Sequence, residues 1–303
     1  VTGEAGSGKT TLLSSWLAGL GSAEFAVGTG RCVQQFGSGE PYLPVFEALE
    51  DLGRSLGPRL VDLLRTRAPT WLMQMPALVS PEERARLREE VFGSTRERML
   101  REITDAFEAL SADKPLVLLL EDLHWSDPST IDLIRSIAAR SSPARVVVLA
   151  TYRPGDAARN TRALLVAQNE LEIHRKCKVF ALEPLTETDV EAYVTARFAA
   201  KPSLRAMAAP LHARTNGNPL FVACLADELE RSAIVDEEAI QELVPDTLQQ
   251  MFDRQTDQLK PAEREMLDSA AAAGEWFSTA HIAEATGADQ TDVESMSEDL
   301  AQR

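Results

Sequence analysis

Two rhythms of apolar residues alternate along this chain. Short unbroken β-prone runs are separated by longer stretches in which apolar positions recur every three or four residues. That is the pattern of strands buried in a parallel sheet alternating with amphipathic helices. Leu12, Leu13, Trp16, Leu17 and Leu20 predict a helix from Thr11 onward. Phe25-Ala26-Val27 and Arg31-Cys32-Val33 read as a strand interrupted by Gly28 and Gly30, with a loop at Gly37, Gly39 and Pro41. Pro44 opens an amphipathic helix on Val45, Phe46, Leu49 and Leu52, and helical spacing continues through Leu56 to Leu64 until Pro69. Trp71, Leu72, Met73 and Met75 read as core. Pro81 begins a further helix with Glu82 and Glu83 in its first turn, where acids complement the helix dipole. Met99, Ile103, Phe107 and Leu110 form the stripe of another, from Arg96 to Leu110.

Leu116 to Leu120 is a continuous aliphatic run, as expected for a strand covered on both faces, and it ends in Glu121-Asp122. Asp127-Pro128 with Ser129 and Thr130 starts a helix through Arg140 on the stripe Ile131, Ile134 and Ile137. Arg145 to Ala150 is the next buried strand, followed by Thr151-Tyr152-Arg153, and Lys178 to Leu182 reads as a final strand. Thr186 to Asp189 forms a capping box, with Asp in place of Glu at its third position, and a helical region follows to about Arg231. Short helices are expected at Leu248–Leu259, Pro261–Ala273, Thr279–Thr286 and Asp289–Ala301, with Gly274 and Gly287 as C-caps. Strands alternating with helices predict an α/β domain, and the tail is all-α.

Bulk properties narrow this only slightly. With 303 residues, 44% hydrophobic and 26% charged, the chain has room for two or three cores. No apolar run approaches the ~20 residues of a membrane span, and no signal peptide is evident, so a cytoplasmic location is expected. A formal charge of −16 argues against a general nucleic-acid or anionic-membrane surface. Cys32, Cys177 and Cys224 are widely spaced and lack a C-x-x-C, and read as small core residues of a reducing compartment.

The chemistry starts at the first residues. In VTGEAGSGKTTLL, Gly3, Gly8, Lys9 and Thr10 fit G-x-x-x-x-G-K-[ST], the phosphate-binding loop of nucleoside triphosphatases. Glycines at 3, 6 and 8 permit backbone angles that side chains resist, which turns successive N–H groups inward as a nest for phosphate oxygens. The nucleotide contacts expected are Gly3, Glu4, Ala5, Gly6, Ser7, Gly8, Lys9, Thr10 and Thr11. Lys9 can reach the β- and γ-phosphates, and the Thr10 hydroxyl can ligate Mg²⁺. The phosphates then sit at the positive end of the following helix. The strand that should precede the loop is reduced to Val1 and Thr2, so the chain reads as a segment of a longer polypeptide.

Glu121 and Asp122 supply the second half of such a site. Carboxylates at the C-terminal end of a buried parallel strand stand where α/β proteins bind ligands. One acid holds Mg²⁺ and the other orients the attacking water; the residues alone leave open which does which. His124 as a base and Trp125 as a base-stacker are both weaker readings than packing.

The run LVLLLEDLHWSDPST, together with VTGEAGSGKTTLL, resembles the STAND class of signalling ATPases. More narrowly it resembles the AAA-type ATPase module of large bacterial regulators, and so do Gly30 to Glu50 and Arg96 to Leu110. The likeness extends over most of residues 1 to about 230. It implies ATP rather than GTP, with Mg²⁺, and a γ-phosphate sensor at Thr151 or Arg153, of which the Arg153 guanidinium is better suited. It also implies a base contact at Pro219 in the G-x-P motif of Gly217 and Pro219. The catalytic set expected is Lys9, Glu121, Asp122 and Arg153, with Thr10, Glu121 and Asp122 around the metal.

The domain organisation expected is a P-loop core over 1–183, a helical lid over 184–240 and a winged-helix-like region over 241–303. The would-be recognition helix of the last carries Asp292, Glu294, Glu298 and Asp299 against only Arg303, a face that repels phosphates. The function expected is a slow, regulatory ATPase switch of a multidomain bacterial signalling protein, in contact with sensor and output domains or with itself. A nucleotide-dependent oligomerisation scaffold without turnover and a DNA-binding regulator are the alternatives.

Overall fold

The structure is a computed structural model, and it describes residues 1–19, 24–33, 40–140, 144–199, 202–232, 256, 259–273 and 278–301. Leu20, Gly37, Gly39, Gly274, Arg303 and nearly all of the expected helix at Leu248–Leu259 lie outside the described residues. The chain divides into two compact units, Val1–Leu182 and Glu183–Arg303.

In the first unit, β1 (Ala26–Arg31), β2 (Leu116–Glu121) and β3 (Val146–Ala150) form a parallel sheet in the order β1-β2-β3. Ala26 pairs with Leu116, and Leu116 with Val146. Every residue of β2 is buried, as its unbroken aliphatic run requires. Beyond β3, Thr2 bridges Tyr152 on one side and Ala181 on the other, both in parallel. Its N–H donates to Phe180 O at 2.8 Å, and its carbonyl accepts from Leu182 N–H at 2.8 Å. The sheet therefore places β3 between the strand stub at Thr2 and the acid-bearing β2. Because all pairs are parallel, the segments after Thr2, Arg31, Glu121 and Ala150 leave the sheet at one edge.

Three strand expectations need correction. Gly28 and Gly30 do not interrupt β1, which is continuous. They let α2 (Leu43–Leu56) lie against the strand backbone: a Cβ at Gly28 would come 2.6 Å from Ala48 O, and one at Gly30 1.7 Å from Pro44 O. The expected strand at Lys178–Leu182 reduces to the bridge at Ala181, since among the described residues Thr2 alone pairs with it. Finally, β3 is only half-covered, with Val147 49% exposed. Its flank opens on a cavity of about 540 Å³ between β3 and residues 176–180, lined in part by Val148, Leu164, Leu171 and Phe180.

Helices cover the sheet. α1 (Lys9–Gly19) buries Lys9 and Leu13 but leaves Leu12 and Trp16 exposed, so its apolar residues are not one buried stripe. The long helix expected up to Leu64 is two, α2 and α3 (Pro58–Arg67), broken at Gly57, whose φ of 56° ends one and starts the other. α4 (Pro69–Met73) puts Trp71 at full burial against Tyr42 and Phe46, with ring centroids 5.0 and 4.9 Å away. α5 (Pro81–Glu90) is capped by Ser80, and α6 (Arg96–Asp113) by Thr95. In α7 (Pro128–Ala139) Asp127 caps the N–H groups of Ser129 and Thr130 and also accepts from Tyr42 N–H at 3.2 Å. α8 (Pro154–Asn160) and α9 (Arg162–Ile173) complete the unit.

The second unit is helical where it is described. α10 (Glu187–Arg197) starts from the full Thr186/Asp189 capping box. α11 (Pro202–Arg205), α12 (Ala208–Thr215) and α13 (Pro219–Ser232) pack with it around Val190, Val194, Leu211, Leu225 and Leu229. α14 (Pro261–Ala273), α15 (Thr279–Thr286) and α16 (Gln290–Ala301) share a smaller core of Met266, Ala270, Ile282, Ala283 and Val293. Among the described residues, no helix is long and apolar enough to cross a membrane.

Candidate active site

The loop between Thr2 and α1 has the backbone that its glycines were expected to give. Gly6 (φ 77°) and Gly8 (φ 85°) lie in the left-handed region, and a Cβ at Gly3 would come 2.6 Å from Ser7 Oγ. Ser7 N–H closes a turn on Glu4 O at 3.2 Å, and Leu12 N–H takes Gly8 O at 2.8 Å to start α1. Lys9 is 8% exposed. Its ammonium donates to Gly3 O and Glu4 O at 2.7 Å each and lies 3.3 Å from Ser7 Oγ. Burial lowers the Lys9 pKa; the Arg153 charge adds to that and Asp122 opposes it. The lysine thus sits in the electrostatic field of residues from two other strand ends. Thr10 and Thr11 are exposed in the first turn of α1.

At the end of β2 the two acids have different surroundings. Glu121 is 9% exposed, and its Oε1 has no hydrogen-bond partner among the described residues. A buried carboxylate oxygen without a donor is costly and calls for one. Asp122 leaves the strand with φ 57°. Its N–H donates to Thr151 Oγ1 at 2.9 Å, and its Oδ2 accepts from Arg31 Nε at 3.0 Å and Nη2 at 2.9 Å. The same hydrogen bonding raises the Arg31 pKa further.

Thr151, buried at 1% exposure, also ties β3 to β2 by its backbone: its N–H donates to Leu120 O, and its carbonyl accepts from Leu123 N–H. Of the two sensor candidates, Thr151 is thereby engaged in bracing Asp122. Arg153, the N-cap residue of α8, keeps a side chain 39% exposed with Nη1 3.5 Å from Asp156 Oδ2. His124 lies in the short 3₁₀ helix Leu123–Trp125 that follows Asp122, with its ring fully buried. Burial lowers its pKa against the opposing pull of Asp122 and Asp156, so the ring is neutral at pH 7.

Lys9, Asp122, Arg153 and Asp156 therefore share one electrostatic neighbourhood. Arg31, Thr151 as a brace and Asp156 were not singled out from the sequence for these contacts. Their roles depend on strand order, which no local pattern encodes. Pro219 lies in the second unit as the first residue of α13, after Asn218, whose Oδ1 accepts from Leu220 N–H at 3.1 Å. Gly217 (φ 70°) has its missing Cβ position 2.0 Å from Leu185 O, so only glycine fits there. Among the described residues no three His, Cys, Asp or Glu side chains group as a metal cage. Mg²⁺ is commonly held by one or two carboxylates plus substrate phosphates rather than by an all-protein cage.

Residues 1–149 match the AAA ATPase domain family. No curated protein matches the chain. The match covers just under half of the chain and, with the parallel sheet and the Gly3–Thr10 loop, supports an AAA-type P-loop α/β module over that segment.

Proposed function

We propose that residues 1–182 bind ATP with Mg²⁺ and hydrolyse it slowly, and that the chain is a nucleotide-controlled switch within a multidomain bacterial signalling protein of the STAND kind. The observation that carries this reading is the buried Glu121 Oε1, which lacks a donor among the described residues at the sheet edge shared with the Gly3–Lys9 loop. It favours Glu121 as the metal-facing acid, with Asp122, the one with a breakable surface ion pair, to orient water. Glu121 and the Thr10 hydroxyl would hold Mg²⁺, which when bound neutralises charge on the β- and γ-phosphate oxygens.

The chain's own residues do the rest. The loop N–H groups and the α1 N-terminus orient the phosphates. Lys9 trades its bonds to Gly3 O and Glu4 O for phosphate oxygens, and Arg153 bridges the terminal phosphate as charge shifts toward the leaving group. In this reading 184–240 is a lid, with Pro219 against the base, and 241–303 is a winged-helix-like regulatory segment. The acids of α16 weigh against direct DNA contact there.

The test is nucleotide binding and phosphate release on the wild type, Lys9→Ala, Glu121→Gln and Asp122→Asn. Lys9→Ala should weaken binding by roughly tenfold or more, the scale of one charged hydrogen bond. Glu121→Gln should lose Mg²⁺ dependence, while Asp122→Asn should bind normally and release no phosphate. Tight binding without any release by the wild type would favour the scaffold, which the Arg31-held Asp122 already suits. A folded protein that binds no nucleotide would end both readings.

A further inference from the structure

The outer side of β1 meets two carboxylates that the nucleotide reading does not use. Among the described residues β1 is the end strand of its sheet, since the order is β1-β2-β3. Ala26 N–H donates inward to Pro115 O and Cys32 N–H to Glu121 O, both at 2.9 Å. Successive N–H groups of a strand point to alternate sides, so those of Thr29 and Arg31 face outward. An end strand with such groups free is a template for pairing with another chain. Here both are taken. Thr29 N–H donates to Asp51 Oδ2 at 2.9 Å, and Arg31 N–H donates to Glu47 Oε2 at 2.7 Å.

The two acids match the strand in spacing. Four residues apart on α2, they share one helix face and stand about 6 Å apart along its axis. Thr29 and Arg31, two residues apart on β1, are about 6.6 Å apart. The helix runs against the strand, so the earlier acid meets the later N–H. Gly28 and Gly30 permit the approach, since a Cβ at either would collide with Ala48 O or Pro44 O of α2. Glu50, outside this match, is exposed, whereas Glu47 and Asp51 are half-buried. Asp51 gives its other oxygen, Oδ1, to Arg54 Nη2 at 2.7 Å and keeps Oδ2 for the strand. A merely solvated acidic face needs neither this spacing nor these bonds.

We propose that Glu47 and Asp51 stand in for a neighbouring strand and keep the outer side of β1 from pairing with a second copy of this chain. An ionised carboxylate binds an N–H more strongly than the neutral carbonyl that an incoming strand offers. A second copy therefore gains nothing at Thr29 and Arg31, and its own carbonyl oxygens would be brought against two negative charges. The closure comes from within the fold, by acids on the helix that the two glycines admit. It is independent of nucleotide and would stand if the ATP reading fell.

The test reads the two amides directly, by hydrogen exchange on the dilute full chain, resolved residue by residue with fragmentation mass spectrometry. In wild type the Thr29 and Arg31 amides should be protected. Glu47→Ala should speed exchange at Arg31 by about tenfold, the scale of one charged hydrogen bond, and leave Thr29 unchanged. Asp51→Ala should do the reverse. Slow Gly28 and Gly30 amides, which face β2, report that the sheet is intact. Light scattering then follows mass against protein concentration, in salt that screens the net charge of −16. Glu47→Ala/Asp51→Ala should rise toward twice the wild-type mass, because like edges related by a two-fold axis close as a dimer. Glu47→Gln/Asp51→Asn, which keeps an acceptor oxygen at each position, should stay at the wild-type mass. Unprotected Thr29 and Arg31 amides in wild type would overturn the proposal. So would a double alanine variant with both amides open, Gly28 and Gly30 slow, and an unchanged mass. If that variant loses the Gly28 and Gly30 protection too, the two single alanine variants decide, and a wild-type mass in both overturns the closure.

Discussion

Arg31, the last residue of β1, donates from both Nε and Nη2 to a single oxygen of Asp122, the first residue after β2, at 3.0 and 2.9 Å. The register explains the meeting: Arg31 stands opposite Glu121, so the next residue on the neighbouring strand turns back over its guanidinium. Asp122 is pinned from the other side by its N–H on Thr151 Oγ1. The acid that would orient water is thus held between two strands, one end of it by a charge that is 64% exposed and easily displaced.

Removing that charge tests whether the pair restrains the acid. An exposed ion pair is worth about 1 kcal/mol at most, so Arg31→Ala should leave stability almost unchanged. Freed from Arg31, Asp122 should support faster basal phosphate release, about fivefold for about 1 kcal/mol. A fall in the release rate at unchanged nucleotide affinity would show that Arg31 holds Asp122 in its working position instead.

Gly30 and Gly53 make opposite predictions from the same substitution. An alanine Cβ at Gly30 would enter the Pro44 carbonyl, a backbone atom that cannot yield without moving α2 off the sheet. Gly30→Ala should cost about 3 kcal/mol. Within α2, a Cβ at Gly53 meets nothing closer than Leu60 Cδ2 at 3.7 Å. Gly53→Ala should therefore stabilise by about 0.5–1 kcal/mol through helix propensity. Thermal unfolding of the two variants, one midpoint below and one above wild type, checks both together.

These glycines also mark how far the sequence could be read. The loop at Gly3–Thr10, the aliphatic run of β2 and the helix starts at Pro81, Asp127 and Thr186 are local signals, and each lies within a few residues of what it governs. Gly28 and Gly30 looked like breaks in a strand because the reason for them, the Pro44 and Ala48 carbonyls, arrives only with α2. The exposed Leu12 and Trp16 of α1 and the half-covered β3 carry the same lesson for apolar residues. Spacing tells which residues share a face, and only the packed neighbours decide whether the face is covered. At the site, Lys9, Glu121 and Asp122 stand out as candidates from motif and strand end, and Arg153 from the family resemblance. Arg31, Asp156 and the bracing by Thr151 come from strand order, which brings together residues 91 apart, as in Arg31 and Asp122.

Thr151 should act through Asp122 and not through phosphate. Thr151→Val keeps its shape but leaves the Asp122 N–H without its acceptor, a loss of about 1–3 kcal/mol for a buried donor. Thr151→Ser, which keeps the hydroxyl, should recover most of it. Denaturant unfolding reads the stability and phosphate release the site. If Thr151→Val kept full stability but lost ATP-over-ADP discrimination, the hydroxyl would be a phosphate sensor after all.

Cys32 gives the chain a built-in sensitivity to alkali. The thiol is 3% exposed just beyond Arg31, its N–H bonded to Glu121 O at 2.9 Å. Burial first, then the charges of Asp127, Asp122 and Glu47, push its pKa well above the usual thiol range. The sign follows from proton counting. Above the unfolded value of about 8.5, the unfolded chain has released this proton while the folded chain retains it, so stability falls as pH rises. Relative to Cys32→Ala, which has no such proton, the wild type should lose about 1.4 kcal/mol between about pH 7.5 and about pH 9.5. Urea unfolding of both proteins at the two pH values measures that double difference, in which every other titrating group cancels. Parallel losses in the two proteins would mean that the folded state lets Cys32 ionise, and iodoacetamide should then label it in the native protein as readily as the half-buried Cys224.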